Sequence, residues 1–242
     1  MKKRILRMLM AVAVGLGLLT GGIWGLSKAL GEREVRYRGR SQYYWGEQLQ
    51  SRAPGASNEA ILVLNEEILP QLTRTMLGDT NDSRWRITLI EGLNELPGIQ
   101  IYFRTADGRR AGAAGGIGDF GPPAAAAIPA LIQALQGPDL AVRGPAAVSL
   151  GRLHAQPEEI IPLLIKYLDQ EELREDAASA LAEYGSLATA ALPKLLPLFM
   201  VQEKDLHRAV IEAFRHIDPT GATEAKAKAM AAPAPARAAE TK

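Results

Sequence analysis

Apolar residues recur at every third or fourth position through residues 127–153, AIPALIQALQGPDLAVRGPAAVSLGRL. This spacing places apolar side chains on one face of a helix. Two groups show it, first Ile128, Leu131, Ile132 and Leu135, and then Val142, Ala146, Leu150 and Leu153. The sequence GPD at 137–139 is typical of a break between helices, and Asp139 is placed to cap the second one. The pattern therefore predicts a pair of amphipathic helices.

The helix pair is repeated along the chain. The stretches IPALIQAL, IPLLIKYL and LPKLLPLF align, and their prolines Pro129, Pro162 and Pro193 are separated by 33 and 31 residues. Each proline is expected near the start of its helix, where a missing N–H loses no partner. A second series has matching steps of 33, 31 and 33 residues, namely Arg110, Arg143, Arg174 and His207. Because one helix pair cannot bury its apolar face alone, the units are predicted to stack into an all-α fold, an α-solenoid.

These units resemble HEAT repeats. The resemblance is carried by PALIQAL in the first helix, by DLAVR before the second, and by the small residues of AAVSLGRL within it. It extends over residues 106–218, and residues 68–96 look like an earlier, more divergent unit. We therefore expect the repeats to occupy residues 55–218. The stretch GIQIYFRTADG (98–108) is too short and too β-branched for a first helix, and a loop is predicted there.

The segment before the repeats has a resemblance of its own. YRGRSQYYWGEQL (37–49) is similar to the short tyrosine, glycine and tryptophan segment that precedes HEAT arrays in some uncharacterised bacterial envelope proteins. Because the open end of a solenoid must be covered, we expect residues 31–54 to pack on the first repeat as a cap. A recognition patch is the other interpretation of its aromatic residues, Tyr37, Tyr43, Tyr44 and Trp45.

The N-terminus predicts a membrane segment within residues 1–30. Four basic residues (Lys2, Lys3, Arg4, Arg7) precede an uncharged stretch of 19 residues, Met8–Leu26. That length is close to the roughly 20 residues of a transmembrane helix. The basic flank predicts a single pass through the inner (cytoplasmic) membrane, with the repeats on the outer, periplasmic side and the bilayer contacting residues 8–26. The alternative is a signal peptide cleaved near Ser27–Ala29, which would give a secreted protein.

Composition narrows the classes of function. A net charge of +1 argues against a nucleic-acid partner, and a chain without cysteine has no thiol nucleophile or thiolate metal site. Residues 219–242 consist mainly of Ala, Pro and Lys, with too little apolar surface to offset the entropy of ordering, so a disordered tail is predicted. No cofactor, metal or small-molecule substrate is indicated.

One glycine motif suggests nucleotide binding but falls in the wrong place. GIGDFG (116–121) fits the dinucleotide fingerprint, which requires glycines after a strand and at the start of a helix. The repeat register places these glycines where a second helix ends, and the carbonyls there repel phosphate. Gly121 and its equivalent Gly185 are instead expected to be left-handed caps.

The basic series is open to two interpretations. It could be a stripe for an anionic ligand, but the resemblance to HEAT repeats favours a ladder of ion pairs with the acidic residues before it, Asp107, Asp139, Glu171 and Asp205. The histidines His154, His207 and His216 are too scattered to predict a metal site.

The resemblance implies that the second helices line the concave face. Their exposed positions form two rows of mixed charge, one of them Asp119, Arg152, Glu183 and His216 and the other Gly144, Glu175 and Arg208. A groove for nucleic acid would be uniformly basic, with stacking aromatics. The rows suit a protein partner in the cell envelope, although a solvated face would look the same. The candidate protein-binding residues are Arg152, Glu175, Glu183, Arg208, Glu212 and His216.

The sequence predicts a membrane-anchored, exported HEAT-repeat protein that binds or scaffolds other proteins and is not an enzyme. The alternative is also based on resemblance, since some short HEAT-like proteins resemble bilin lyases and others are accessory domains of enzymes.

Overall fold

The computed structural model describes residues 35–51, 55–80, 82–95, 101, 103–201 and 203–221. The regular structure of these residues is helical except for one two-stranded antiparallel hairpin. Within the same ranges, no helix is both long and apolar enough to span a bilayer. The predicted membrane segment, 8–26, lies outside the described residues, as does the predicted tail from residue 222 onward.

The elements follow one another as helix pairs after the hairpin. They are β1 (Arg36–Tyr37), β2 (Arg40–Ser41), α1 (Gln42–Gln50), α2 (Ala56–Val63), α3 (Leu69–Gly78), α4 (Arg84–Asn94), α5 (Ala106–Gly118), α6 (Ile128–Gln136), α7 (Leu140–Arg152), α8 (Pro157–Tyr167), α9 (Arg174–Tyr184), α10 (Leu192–Leu195) and α11 (Lys204–Ile217). A π-helical turn (Leu64–Ile68) joins α2 to α3. Short 3₁₀ helices lie at Pro122–Ala127, Glu171–Leu173, Gly185–Ala191 and Leu196–Met200.

The predicted helix pair at residues 127–153 is confirmed by α6 and α7. The central apolar positions of both helices are buried, with Leu131, Leu135 and Leu150 at 0% exposure. The predicted cap is also present, because the Asp139 carboxylate accepts the Ala141 N–H at 3.0 Å. The sequence pattern thus correctly identifies which side of each helix faces the core.

Two of the first helices differ from the predicted form. Pro162 lies inside α8 rather than near its start, because the helix begins earlier, at Pro157. The first element of the last repeat is not one α-helix but a 3₁₀ segment, the four-residue α10 and a second 3₁₀ segment. Pro193 and Pro197 each remove a backbone donor from this stretch, and a proline inside a helix interrupts the i→i−4 bonding.

Residues 80–106 form a compact unit separate from the one made by residues 36–79 and 107–221. The smaller unit contains α4 and is closed by side-chain bonds to the backbone. Asn94 exchanges two hydrogen bonds with the backbone of Ile101, at 2.7 and 3.1 Å. The Asp82 carboxylate accepts the N–H of Ala106 at 2.8 and 2.9 Å, so the two ends of the segment are tied together.

The prediction that residues 68–96 form one repeat is wrong. The helical segment that ends with α3 is paired with α5, because Arg109 donates to the Asp79 carboxylate at 2.6 and 3.0 Å and Arg110 donates to the Asp79 carbonyl at 2.6 Å. The second helix of the first repeat is therefore α5, and residues 80–105 are an insertion. Helix α5 consists largely of Gly and Ala, so its weak apolar pattern did not indicate which first helix it joins. The predicted loop at 98–108 is partly wrong for the same reason, since α5 already begins at Ala106.

The predicted cap packs on the core of the larger unit. Tyr37 and Trp45 are each 4% exposed, and the Trp45 indole donates to the Tyr37 carbonyl at 2.9 Å. Tyr44 is partly buried against the same core. Tyr43 departs from the expectation, because it is 76% exposed.

Adjacent repeats are held in register by close packing and by buried tyrosines. A Cβ at Gly118 would lie 2.8 Å from the Ser149 Cα, and a Cβ at Gly151 would lie 2.8 Å from the Ala180 carbonyl oxygen. Tyr167 donates to the Leu135 carbonyl at 3.0 Å. Tyr184 makes the equivalent bond from a second helix, to the Ala155 carbonyl at 2.6 Å. Each phenol satisfies a carbonyl of the preceding repeat, which fixes how the units stack.

Candidate protein-binding face

All six candidate residues are on second helices. Arg152 ends α7, two candidates are on α9, and three are on α11; the last five are Glu175, Glu183, Arg208, Glu212 and His216. The second helices α7 and α9 pack against each other, as do α9 and α11. The Ser149 hydroxyl of α7 donates to the Ala114 carbonyl of α5 at 2.7 Å, which joins α5 to the same layer. The candidates therefore lie on one continuous layer of helices.

The first predicted row is physically connected. Arg152 pairs through Nη1 with the Asp119 carboxylate, and its Nε lies 3.4 Å from Oε1 of Glu183. The His216 Nδ1 lies 3.2 Å from the carbonyl oxygen of Ala182, one residue before Glu183. The row thus crosses four successive repeats. Because the charged side chains are 38–68% exposed, each pair stabilises the fold by at most about 1 kcal/mol.

The other candidates are not brought into one network. Arg208 pairs with Asp205 of its own helix at 3.0 Å, and Glu212 pairs with Arg215 at 2.8 Å. Glu175 is exposed near the start of α9. These pairs join residues three positions apart, so they orient side chains on single helices and do not link repeats.

Asp176 is a residue of this face that the sequence analysis missed. Its carboxylate lies directly on the bare backbone of Gly144, in the space that a Cβ at that position would fill. Burial between α7 and α9 raises the pKa of the Asp176 carboxyl, and the charge of Glu175 raises it further. The signal was Gly144 itself, because a glycine in a helix interior indicates close approach of another group.

The basic series follows a rule other than the predicted ladder. Arg110 donates to the Asp79 carbonyl, Arg143 to the Gly137 carbonyl at 3.2 Å through Nε, and Arg174 to the Leu168 carbonyl at 3.0 Å. Each carbonyl follows the end of the first helix of the same repeat. The arginines therefore supply donors to a helix C-terminus, whose last carbonyls have no partner within the helix.

The predicted ion pairs form at Arg110 but not at the later positions. Arg110 pairs with Asp107 at 2.6 Å and with Asp139 at 2.7 Å, and the hydrogen bond from Asp139 is the main reason that its pKa is raised. Arg143 lies over the Tyr167 ring instead, at 5.9 Å. His207 packs edge-on to Phe199 at 6.3 Å. The ladder prediction is thus correct for one repeat and wrong for the others.

The glycine motif lies at the closing end of α5, as expected. Gly118 is the last residue of that helix, so helix carbonyls rather than free N–H groups occupy this end. Gly121 and Gly185 have positive φ values, 63° and 57°, as the repeat register predicts. Their ψ values of −153° and −137° differ from the predicted left-handed helical cap and belong to a region that is nearly restricted to glycine.

The described residues contain no group of three or more His, Asp or Glu side chains arranged to hold a metal ion. The three histidines lie on separate elements. His154 follows α7 with its ring 6.3 Å from Tyr184, and His207 and His216 are both on α11 with the partners given above.

Comparison with known proteins assigns the repeats to a class. Residues 128–215 match the family model for HEAT repeats. This part of the chain therefore consists of HEAT repeats, and α5 with the segment ending at α3 extends the same architecture upstream. A search of curated proteins finds no match to the chain.

Proposed function

We propose that this protein is a membrane-anchored, exported module that binds other proteins through its second-helix face and carries out no chemistry of its own. HEAT repeats are helical repeat modules typical of protein interaction. The observation that carries the proposal is the connected row Asp119–Arg152–Glu183, which crosses consecutive repeats on one layer of helices.

The chemistry of this face suits a protein surface. Its charges alternate in sign and largely pair with one another, and small residues such as Gly144 and Ser149 bring neighbouring helices into close contact. A broad surface of this kind offers many weak contacts, which is how standard protein interfaces are built. The partner is expected to be a protein of the cell envelope.

Anchoring is proposed from the sequence of residues 1–26. A basic flank followed by 19 uncharged residues favours a single membrane helix with the repeats outside. The test is protease treatment of intact spheroplasts that contain the full chain. Repeats digested from outside, with residues 1–28 retained in the membrane, would support anchoring. A soluble protein that begins near Leu30 would contradict it and support secretion.

Binding is tested by photo-crosslinking in the same cells. A photoreactive residue at Glu175, exposed on a second helix, is compared with one at Glu159, exposed on the first helix α8. We expect a defined crosslinked protein from position 175 that is weak or missing from position 159. Charge reversal at Arg152 should reduce its yield. Equal crosslinking from both positions would contradict a binding face on the second helices.

A further inference from the structure

The hairpin β1–β2 is fixed to the first repeat at two points. The Trp45 indole holds the Tyr37 carbonyl from the buried side. At the turn, Arg38 and Gly39 both have positive φ, 48° and 77°, as a two-residue hairpin turn of type I′ requires. The Arg38 Nε lies 2.9 Å from Glu67 in the π-helical turn, so the tip of the hairpin is tied to the long first helix.

This attachment leaves a small cationic and aromatic surface exposed, which we call the hairpin surface (Arg36, Arg40 and Tyr43). Tyr43 is 76% exposed, more than any other large hydrophobic residue in the described ranges. The guanidinium of Arg40 lies over the Tyr44 ring at 5.1 Å, and Arg36 and Arg40 are both exposed. Arg38 is excluded from the surface because its charge is already met by Glu67.

We propose that the hairpin surface binds the anionic headgroups of the bilayer in which the chain is anchored. The inference rests on the proposed membrane anchor at residues 8–26. Nine residues separate Leu26 from Arg36, and they span at most about 32 Å even when fully extended. The hairpin surface is therefore always held within a short distance of the membrane.

The residue types match that location. Tyrosine has an apolar ring and a polar hydroxyl, and it is enriched where a bilayer meets water. Each arginine near an anionic surface strengthens attraction by about five-fold in affinity. Two exposed arginines on a rigid hairpin thus add a useful contact to a tether that is already present. Because the hairpin is fixed to the first repeat, this contact would set the orientation of the second-helix face relative to the membrane.

The absence of cysteine from the chain allows a site-specific test. Glu47→Cys, one helical turn after Tyr43, is labelled with a polarity-sensitive fluorophore, and the full chain is reconstituted in nanodiscs of zwitterionic lipid with or without anionic lipid. We expect a blue shift of the emission with anionic lipid, which high salt reverses. Arg40→Gln should weaken the lipid-dependent response by about five-fold, and Tyr43→Ser should also reduce it.

Two controls separate this surface from general effects. A label at Leu187→Cys, which is 57% exposed in the last repeat, should not respond to lipid charge. Arg215→Gln, an exposed arginine of α11, should leave the response at position 47 unchanged. An emission at position 47 that is the same in both lipids, or that Arg40→Gln does not alter, would overturn the proposal and favour a protein partner for this surface.

The same preparation distinguishes failure of the anchor from failure of the hairpin surface. Protein that elutes apart from the nanodiscs would contradict the proposed anchor. Flotation of that free protein with vesicles containing anionic lipid would then support the hairpin surface independently. Failure to float with such vesicles would overturn it.

Discussion

The first and second repeats make the same internal contact with very different lengths of chain. In the second repeat, Arg143 reaches the carbonyl of Gly137, six residues before it. In the first, Arg110 reaches the carbonyl of Asp79, 31 residues before it. The contact is preserved although residues 80–105 intervene. A repeat is therefore defined by which helices pack and cap one another, and its two helices need not be close in sequence.

The insertion is tolerated because its ends are held together. Asp82 bonds to the N–H of Ala106, so the chain leaves and re-enters the repeat at neighbouring points, as a short loop would. Closing a longer loop costs little additional entropy, because the cost grows only with the logarithm of loop length. The arginine then performs the same capping in both repeats.

The largest expected effect tests whether the first repeat belongs to the same core. Ile117 and Leu150 occupy equivalent positions and are both 0% exposed. A charge buried without a partner destabilises by several kcal/mol, so Ile117→Asp and Leu150→Asp should each lower the free energy of unfolding by on the order of 5 kcal/mol. Thermal unfolding followed by circular dichroism measures this.

The matched control for that experiment is on α7. Leu140→Asp places the same charge at a position that is 51% exposed and should change stability by less than about 1 kcal/mol. If Ile117→Asp unfolded near the temperature of the unmodified protein while Leu150→Asp did not, the first repeat would not share the core of the others.

A second test concerns the joints between repeats. Gly118 and Gly151 are equivalent, and a Cβ at either would press on backbone atoms of the next second helix at 2.8 Å. Because both neighbours are backbone, Gly118→Ala and Gly151→Ala should each destabilise by about 1–3 kcal/mol in chemical denaturation. Gly115→Ala is the control, since its Cβ would meet nothing within 4 Å and alanine favours the helix by about 1 kcal/mol. Stabilisation by Gly118→Ala would show that the first joint is looser than the second.

How much the sequence could predict follows from these same residues. The 33- and 31-residue spacing and the buried positions of α6 and α7 depend on local pattern, so helix pairs, the core side and the Asp139 cap were accessible. The pairing of α5 was not, because the contacts of Arg109 and Arg110 with Asp79 join residues about 30 positions apart. The row Asp119, Arg152 and Glu183 follows from the repeat register. Asp176 was missed because its burial depends on the bare backbone of Gly144 in another repeat.

A third test compares the two capping arginines directly. Arg110 is 14% exposed and serves two carboxylates besides its carbonyl, whereas Arg143 is bonded to a carbonyl and stacked on a ring. Since hydrogen bonds to charged groups contribute more than neutral ones, Arg110→Gln should cost about 2–3 kcal/mol and Arg143→Gln about 1 kcal/mol. Urea unfolding of the two variants measures the difference. An equal cost would mean that the carboxylates add nothing to the cap.

The smallest expected effect concerns the joint between the second and third repeats. The pKa of Asp176 is raised in the folded protein, so the folded state binds its proton more tightly than the unfolded chain does. The ionised carboxylate therefore opposes folding at neutral pH, and stability from this group falls as pH rises from the ordinary carboxyl value through the raised one. Asp176→Asn should slightly stabilise the protein at pH 7, with the gain disappearing under acid conditions. Glu175→Gln should act in the same direction but more weakly, because Glu175 is exposed and acts through its charge. Unfolding midpoints measured from pH 3 to 7 check this, and destabilisation by Asp176→Asn at pH 7 would show that the ionised carboxylate stabilises the joint.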